Sequence, residues 1–436
     1  MGGISWFICC LAALQVSRAT DYASDPVVQL FQKYLQINTT TNNDLTPAVD
    51  FWKRLAAEEN LPISVYEYKE GYPVIVIKWA GTDSSLSSVM LNSHIDVVPA
   101  DEDDGWTYPP FSACIDDSGD IYARGTQDMK SVSIQYFEAL RRLKANGVQL
   151  LRDVYMTLMP DEEVGGENGM IPFLASEEFA ALNVGVEMDE GSSFELPMIA
   201  LFYQDKVVWQ IQVDCYGEAA HSSSFPDTNS TATGKCTNVI NRLFKFRDEQ
   251  YEVASVATVM NAGSYSSVNL NIIDAGTANN IIPQQMTLVF DIRPAIDLSE
   301  DQFDEQLRGW LAEAGTDITL TYILKNKQSP ATVIDDSNPY WVALLNASQK
   351  LNISIVPLVT PGSTDARYVR NIGIPAFGFS PMPGTPLLLH AVDERLNAEV
   401  FLRGAEIYQE FIANLANIPA DQVLNDPFSY VVKTTV

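Results

Sequence analysis

Three short apolar runs, Ser88 to Val98, Asp153 to Met159 and Val184 to Met188, each contain or lead into residues that can carry chemistry. Runs of this length, rich in β-branched residues and bounded by turn signals such as Ser84-Ser85 and Pro99, read as buried strands of an α/β sheet. The first holds His94 and Asp96. The second runs into Pro160-Asp161-Glu162-Glu163-Val164-Gly165-Gly166, and the third closes with Asp189-Glu190-Gly191. Between the first two, Tyr122 to Lys130 places Asp128 on a glycine-containing turn. A helical stretch follows from Ser131 to Ala145, with apolar residues at Val132, Tyr136, Ala139, Leu140 and Leu143. Open α/β sheets build their sites at such strand ends.

Histidine is scarce, with three residues in 436, and each lies in a stretch that reads as chemistry: His94, His390, and His221 in the loop after a half-exposed alternating run, Val207 to Val213. Along a strand side chains repeat every two residues, which puts Asp96 on the face of His94. From there its carboxylate is expected to accept the second ring N–H and fix the tautomer. Imidazole and carboxylate without thiolate suit Zn²⁺, Mn²⁺ or Co²⁺ and argue against a structural cysteine site. Five candidate ligands exceed the three protein groups of an open catalytic zinc, which favours two ions.

These segments resemble the M20 group of dinuclear zinc peptidases and amidohydrolases, and within it the aminoacylases. The likeness runs from about Val28 to about Leu415. It rests on seven pieces in order: LNSHIDVVP, YARGTQDMKSVSIQY, PDEEVGG, MDEG, DDSNPYW, STDARY and FSPMPGTPLLLHAVDER. The resemblance implies that His94, Asp128 and Glu190 hold one zinc while Asp128, Glu163 and His390 hold the other, two Zn²⁺ per subunit. It also implies that Glu162 is the general base, with Asp96 counted among the catalytic residues. A ligand at 163 beside a base at 162 requires a turn, because neighbouring residues on extended backbone point apart. Pro160 and Gly165-Gly166 supply one.

The implied fold is an α/β catalytic domain with a central mixed sheet flanked by helices, formed by residues 20–203 and 319–436. An inserted ferredoxin-like α+β lid spans 204–318. Its expected elements are a strand at 206–216, a helix at 232–248, strands at 266–274 and 285–293, a helix at 300–314 and a strand at 317–325, a βαββαβ unit. By resemblance the lid makes a homodimer, and its histidine, His221, reaches the partner's site to stabilise the oxyanion. Asn280, Arg293, Thr364 and Gly378 fall where the family binds substrate. Arginine suits a carboxylate because its planar fork makes two parallel hydrogen bonds. Arg367 is left without a role, since an ordinary ion pair explains it as well.

The formal charge of −29 argues against a nucleic-acid partner, which needs a basic surface. No apolar run is long enough to span a membrane. Ile4 to Val16 followed by Ser17-Arg18-Ala19 reads as a secretory signal over residues 1–19, although the usual initial positive charge is missing. Removing it leaves Cys114, Cys215 and Cys236, at most one disulfide and a free thiol. Acceptor triplets begin at Asn38, Asn229, Asn346 and Asn352. The expectation is therefore a secreted enzyme, with the cytoplasm as the alternative. It should cleave small N-acyl-L-amino acids to a carboxylate and a free amino acid. Relatives that take dipeptides or long-chain N-acyl amino acids, and a non-catalytic binding protein, are the competing readings. The tail from Asp421 to Val436 lacks periodicity and is expected to be docked or frayed.

Overall fold

The computed structural model describes residues 22–256, 259–423 and 430–432. The signal-like segment 1–19, with Cys9 and Cys10, lies outside the described residues, as does most of the tail beyond Val423. Of that tail, Val431–Val432 pairs with Ala331–Thr332.

The main sheet has eight strands in the order Ile63–Glu67, Pro73–Trp79, Val154–Met159, Ser88–His94, Val184–Asp189, Ala376–Phe379, Ile199–Asp205 and Ile355–Thr360. Pairing is mixed. The four strands from Val154–Met159 to Ala376–Phe379 run parallel, and the strands outside them include antiparallel neighbours. The three expected strands are buried along their whole length, as their near-continuous apolar character requires in a sheet covered on both faces. Alternate side chains separate into two layers. Ile75, Ile77, Val89, Leu91 and Met156 pack with the helices Pro26–Leu35, Thr46–Glu58, Lys130–Ala145, Pro339–Leu351 and Ala398–Ala416. Val74, Val76, Met90 and Tyr155 pack with Phe173, Phe179 and Val369 on the other side.

The second sheet orders its strands Ser267–Ala275, Gln285–Arg293, Trp209–Tyr216 and Ile318–Lys325, all antiparallel. Helices Ala232–Val256 and Glu300–Ala314 contribute Val239, Leu243, Phe246, Phe303 and Leu307 to a core shared with Trp209, Ile211, Leu288 and Phe290. The unit thus closes with Ile318–Lys325, so its edge lies beyond the expected boundary at 318 and those residues leave the catalytic portion. Other boundaries also move, and the strand expected from 206 begins at Trp209. The strand expected at Ser88 to Val98 stops at His94, and the helix expected at 232–248 continues to Val256. Cys215, on the strand, and Cys236, in the helix's first turns, form a disulfide with Cα atoms 5.7 Å apart, while Cys114 is free.

Candidate metal centre

The C-terminal ends of the parallel strands meet at one edge of the main sheet, and the chemistry-bearing residues meet there with them. His94 ends its strand and Glu190 follows Val184–Asp189 directly. Glu162–Val164 is a single tight turn after Val154–Met159, framed by left-handed backbone at Asp161 (φ 72°), Gly165 (φ 111°) and Gly166 (φ 69°). That turn is what lets Glu162 and Glu163 both face the centre. Asp128 sits just before the helix Lys130–Ala145, and His390 lies in the loop after Ala376–Phe379.

Two clusters result, His94 with Asp128 and Glu190, and Asp128 with Glu163 and His390. Within each, the potential ligand atoms all lie within 4.8 Å of one another. Asp128 belongs to both: its Oδ1 is 2.8 Å from His94 Nε2 and its Oδ2 is 3.1 Å from His390 Nε2. Glu190 Oε2 lies 3.5 Å from His94 Nε2 and Glu163 Oε2 lies 3.1 Å from His390 Nε2. The other Glu163 oxygen is buried without a hydrogen-bond partner. A buried carboxylate oxygen left bare is costly, and a cation would satisfy it. Nitrogen and oxygen donors at these spacings fit two divalent ions sharing Asp128.

The electrostatics agree. Burial opposes a charged ring at His94, yet hydrogen bonds to Asp128 and Glu190 raise its pKa well above the usual value. Hydrogen bonds to Asp128 and Glu163 push His390 up to about 10. Burial would raise Asp128, but its bonds to His390 and His94 win and hold it far below the usual range. Glu190 is raised strongly by burial and by the charge of Asp128, and Glu162 by burial and by Glu190. Acids gathered this closely keep protons that added positive charge would release, so ligand deprotonation and metal binding are linked.

Asp96 does not do what the strand periodicity suggested. Because the strand ends at His94, the two-residue repeat stops there, and His94 Nδ1 donates to the backbone carbonyl of Asp96 at 2.8 Å. The Asp96 carboxylate is 3.9 Å from that nitrogen. Its oxygens accept instead from the backbone N–H groups of Glu162 and Glu163, both at 3.2 Å. Asp96 is thus a positioning residue for the turn. Glu394, to which the sequence reading gave no role, does the same for the other ligand loop. It is fully buried and accepts from the backbone N–H of Gly125 (3.0 Å), Gln127 (2.7 Å) and Asp128 (3.2 Å), with Arg124 Nη1 at 2.7 Å. The only trace in sequence is an acid beside the arginine of the His390 segment.

A cavity of 890 Å³ opens onto the clusters, bounded by Glu162, Glu163, Glu190 and His390 at its floor. Arg293 and Thr364 line it. The Arg293 guanidinium is engaged by Asp291, with Nε to Oδ1 at 2.8 Å, and Thr364 Oγ1 donates to Asp205 at 3.1 Å. The substrate-contact expectation fails for Gly378. It lies inside the sheet, paired with Asp189 and Phe202, and a Cβ there would come 2.4 Å from the Glu190 carbonyl oxygen. What it provides is close strand packing beneath a candidate ligand. Asn280 is exposed and outside the cavity, as is His221. Those two are neighbours, since the Ser222 N–H donates to the Asn280 carbonyl.

Residues 90–414 match the sequence profile of peptidase family M20/M25/M40. The chain is 42% identical to human aminoacylase-1 over 396 residues, 91% of this chain and 96% of that one. Its fold is similar to an M20 family metallo-carboxypeptidase from Sulfolobus solfataricus, with a TM-score of 0.70 at 17% identity over 90% of this chain and 99% of that one. It is also similar to a dinuclear metal binding M20 peptidase of Bacillus subtilis, with a TM-score of 0.66 at 15% identity over 89% and 96% of the two chains.

Asp96→Asn keeps one acceptor for the two amides of the turn and turns an NH₂ group towards the other. The variant should lose roughly 10- to 100-fold in metal affinity, mostly at the ion held by Glu163, since His94 keeps its carbonyl partner. Competition titration against a chelator measures this. Unchanged affinity for both ions would refute the anchoring role.

Proposed function

This chain belongs to peptidase family M20/M25/M40, and from that premise we propose that it hydrolyses N-acyl-L-amino acids to a carboxylate and a free L-amino acid in a metal-dependent reaction. The observation that carries the proposal is the placement of Glu162. It lines a cavity large enough for an acylated amino acid, onto which two imidazole–carboxylate clusters sharing Asp128 open, and the charges of Glu190, His94 and Glu163 act on its carboxyl. Zinc is the ion we assign, on the donor chemistry of the two sets. Bound there, two such ions would make a water nucleophilic near neutral pH and polarise the scissile carbonyl. Glu162 takes the proton from the attacking water and returns it to the departing amine. Its backbone is held for that task by Asp96.

His221 serves as the oxyanion donor of a partner subunit in this reading. The backbone N–H of Ser223 points to its Nδ1 at 3.2 Å, which makes Nδ1 an acceptor and leaves the proton on the exposed Nε2. A homodimer through the inserted unit would bring that edge, with Asn280, to the second site. The cavity's apolar wall, including Phe194, Phe202, Leu358 and Leu389, favours acyl groups longer than acetyl. Secretion belongs to the same proposal. The Cys215–Cys236 disulfide suits an oxidising compartment, and Asn38, Asn229, Asn346 and Asn352 are all exposed. Among the described residues no helix is long and apolar enough to cross a membrane.

A release assay on N-acetyl, N-palmitoyl and dipeptidyl substrates, with and without chelator, tests the substrate class and metal dependence together. Glu162→Gln should cut turnover by about 10²- to 10⁴-fold with metal content unchanged, and full activity in that variant would remove Glu162 as the base. Mixing inactive Glu162→Gln and His221→Ala subunits should restore about a quarter of wild-type activity by random pairing in a dimer. No recovery would place His221 outside a trans role. Expressed with its own leader in cultured eukaryotic cells, the chain should reach the medium shortened by the leader and carrying glycosidase-sensitive mass. Retention in the cytosol would contradict secretion.

A further inference from the structure

Lys130 follows Asp128 by two residues, opens the helix Lys130–Ala145 and is completely buried. Among the described residues its Nζ pairs with no carboxylate. It donates instead to the backbone carbonyl of Ile37 at 2.6 Å and to that of Tyr34 at 3.3 Å, with the Tyr34 ring 4.9 Å away. Both carbonyls lie at the C-terminal end of the helix Pro26–Leu35, where acceptors lack intrahelical donors and the helix dipole favours a cation. Taking a lysine amino group out of water is costly unless hydrogen bonds replace the solvent, and these two carbonyls supply them.

The stem of Lys130 passes Gly125, the residue whose N–H is held by Glu394. A Cβ at Gly125 would come 3.2 Å from Lys130 Cδ and 3.1 Å from Val97 Cγ1, so the ligand loop is packed between those two side chains. The Lys130 N–H closes the loop onto the Gly125 carbonyl at 3.0 Å. Glu394 therefore holds the amides up to Asp128, and Lys130 holds the chain just beyond it. Val97 leads back to the same stretch of chain. Its N–H donates to the Thr39 carbonyl at 3.1 Å, and its carbonyl accepts from the Thr41 N–H at 3.0 Å. Val97 also follows Asp96, the anchor of the Glu162–Glu163 turn. Residues 26–41 thus touch both ligand-bearing segments, through Lys130 on one side and Val97 on the other.

We propose that Lys130 is a positioning residue for Asp128, and that its bonds to Tyr34 and Ile37 make the N-terminal arm, residues 26–41, an integral part of the metal centre. This rests on the reading of the two clusters as a two-ion site. The shared ligand gives the role a signature. Asp128 belongs to both clusters, so loosening its loop weakens both ions together, whereas Asp96→Asn acts mostly on one. By linkage, ions that fix Asp128 also steady the arm.

Metal-free wild type, Lys130→Met and Leu344→Ala are titrated with Zn²⁺ against a chromogenic chelator, and the melting temperature of each metal-free protein is recorded. Methionine keeps most of the stem and removes the donors. Leu344 is a core residue of the helix Pro339–Leu351 outside both clusters and the cavity, so its truncation controls for lost stability alone. Lys130→Met should lose about 10- to 100-fold in affinity at both ions, while Leu344→Ala should melt earlier with both affinities unchanged. A lower melting temperature in Lys130→Met with both affinities intact would reduce Lys130 to a support of the fold and overturn the proposal. Loss confined to one ion, or equal loss in Leu344→Ala, would overturn it as well. A second measurement needs no variant: in wild type, Zn²⁺ should slow amide hydrogen exchange at Ile37 and Thr41 as well as in the 125–130 loop. Protection confined to the loop would refute the coupling to the arm. Wild type that binds fewer than two Zn²⁺ would defeat the two-ion reading and this proposal together.

Discussion

Asp128 is the point on which the centre depends. Its two oxygens face two histidines from distant parts of the chain, His94 on a central strand and His390 in a late loop. A carboxylate can serve two such partners only if its backbone is fixed on both sides. Glu394 fixes it by collecting three amide N–H groups of the Asp128 loop, and the helix Lys130–Ala145 fixes the chain just beyond. Hydrogen bonds from amide groups to a buried carboxylate are charge-assisted and strong, so this clamp holds without needing a large contact area.

The same device recurs at the second ligand turn, where Asp96 collects the amides of Glu162 and Glu163. The acids of this region thus divide into two kinds. Asp128, Glu163 and Glu190 aim oxygens into the clusters, while Asp96 and Glu394 turn theirs towards backbone. What differs is the set of nearest donors: backbone amide groups for Asp96 and Glu394, imidazole nitrogens for Asp128, Glu163 and Glu190.

The inserted unit adds a different constraint. Its core closes through Trp209, Phe246, Phe303 and Leu307, and the disulfide from Cys215 to Cys236 joins strand to helix across the base of the segment carrying His221. That segment is exposed from His221 to Ser230 and lies away from this chain's own cavity. Arg293 alone among the proposed substrate residues of the unit reaches the cavity wall.

Apolar periodicity located the strands Ser88–His94, Val154–Met159 and Val184–Asp189 and the acids and imidazole at their ends, while the choice of His94, Asp128, Glu163, Glu190 and His390 as ligands came from the family resemblance. Those features are local: burial on both faces demands continuous apolar runs, and metal chemistry demands imidazole and carboxylate. The order of elements also carried the βαββαβ unit, because each element announces itself by its own period. What periodicity could not fix was the register past a strand's end, so Asp96 was aimed at the wrong partner. Gly378 was read as a substrate contact when its role is to leave room against the Glu190 carbonyl, a requirement set by a neighbouring strand far away in sequence. Glu394 was given no role, and Arg367 was named but left without one, for the same reason. Whether a buried charge clamps a loop, binds a substrate or merely pairs depends on which donors and acceptors the fold brings within about 3 Å, and only the tertiary structure decides that.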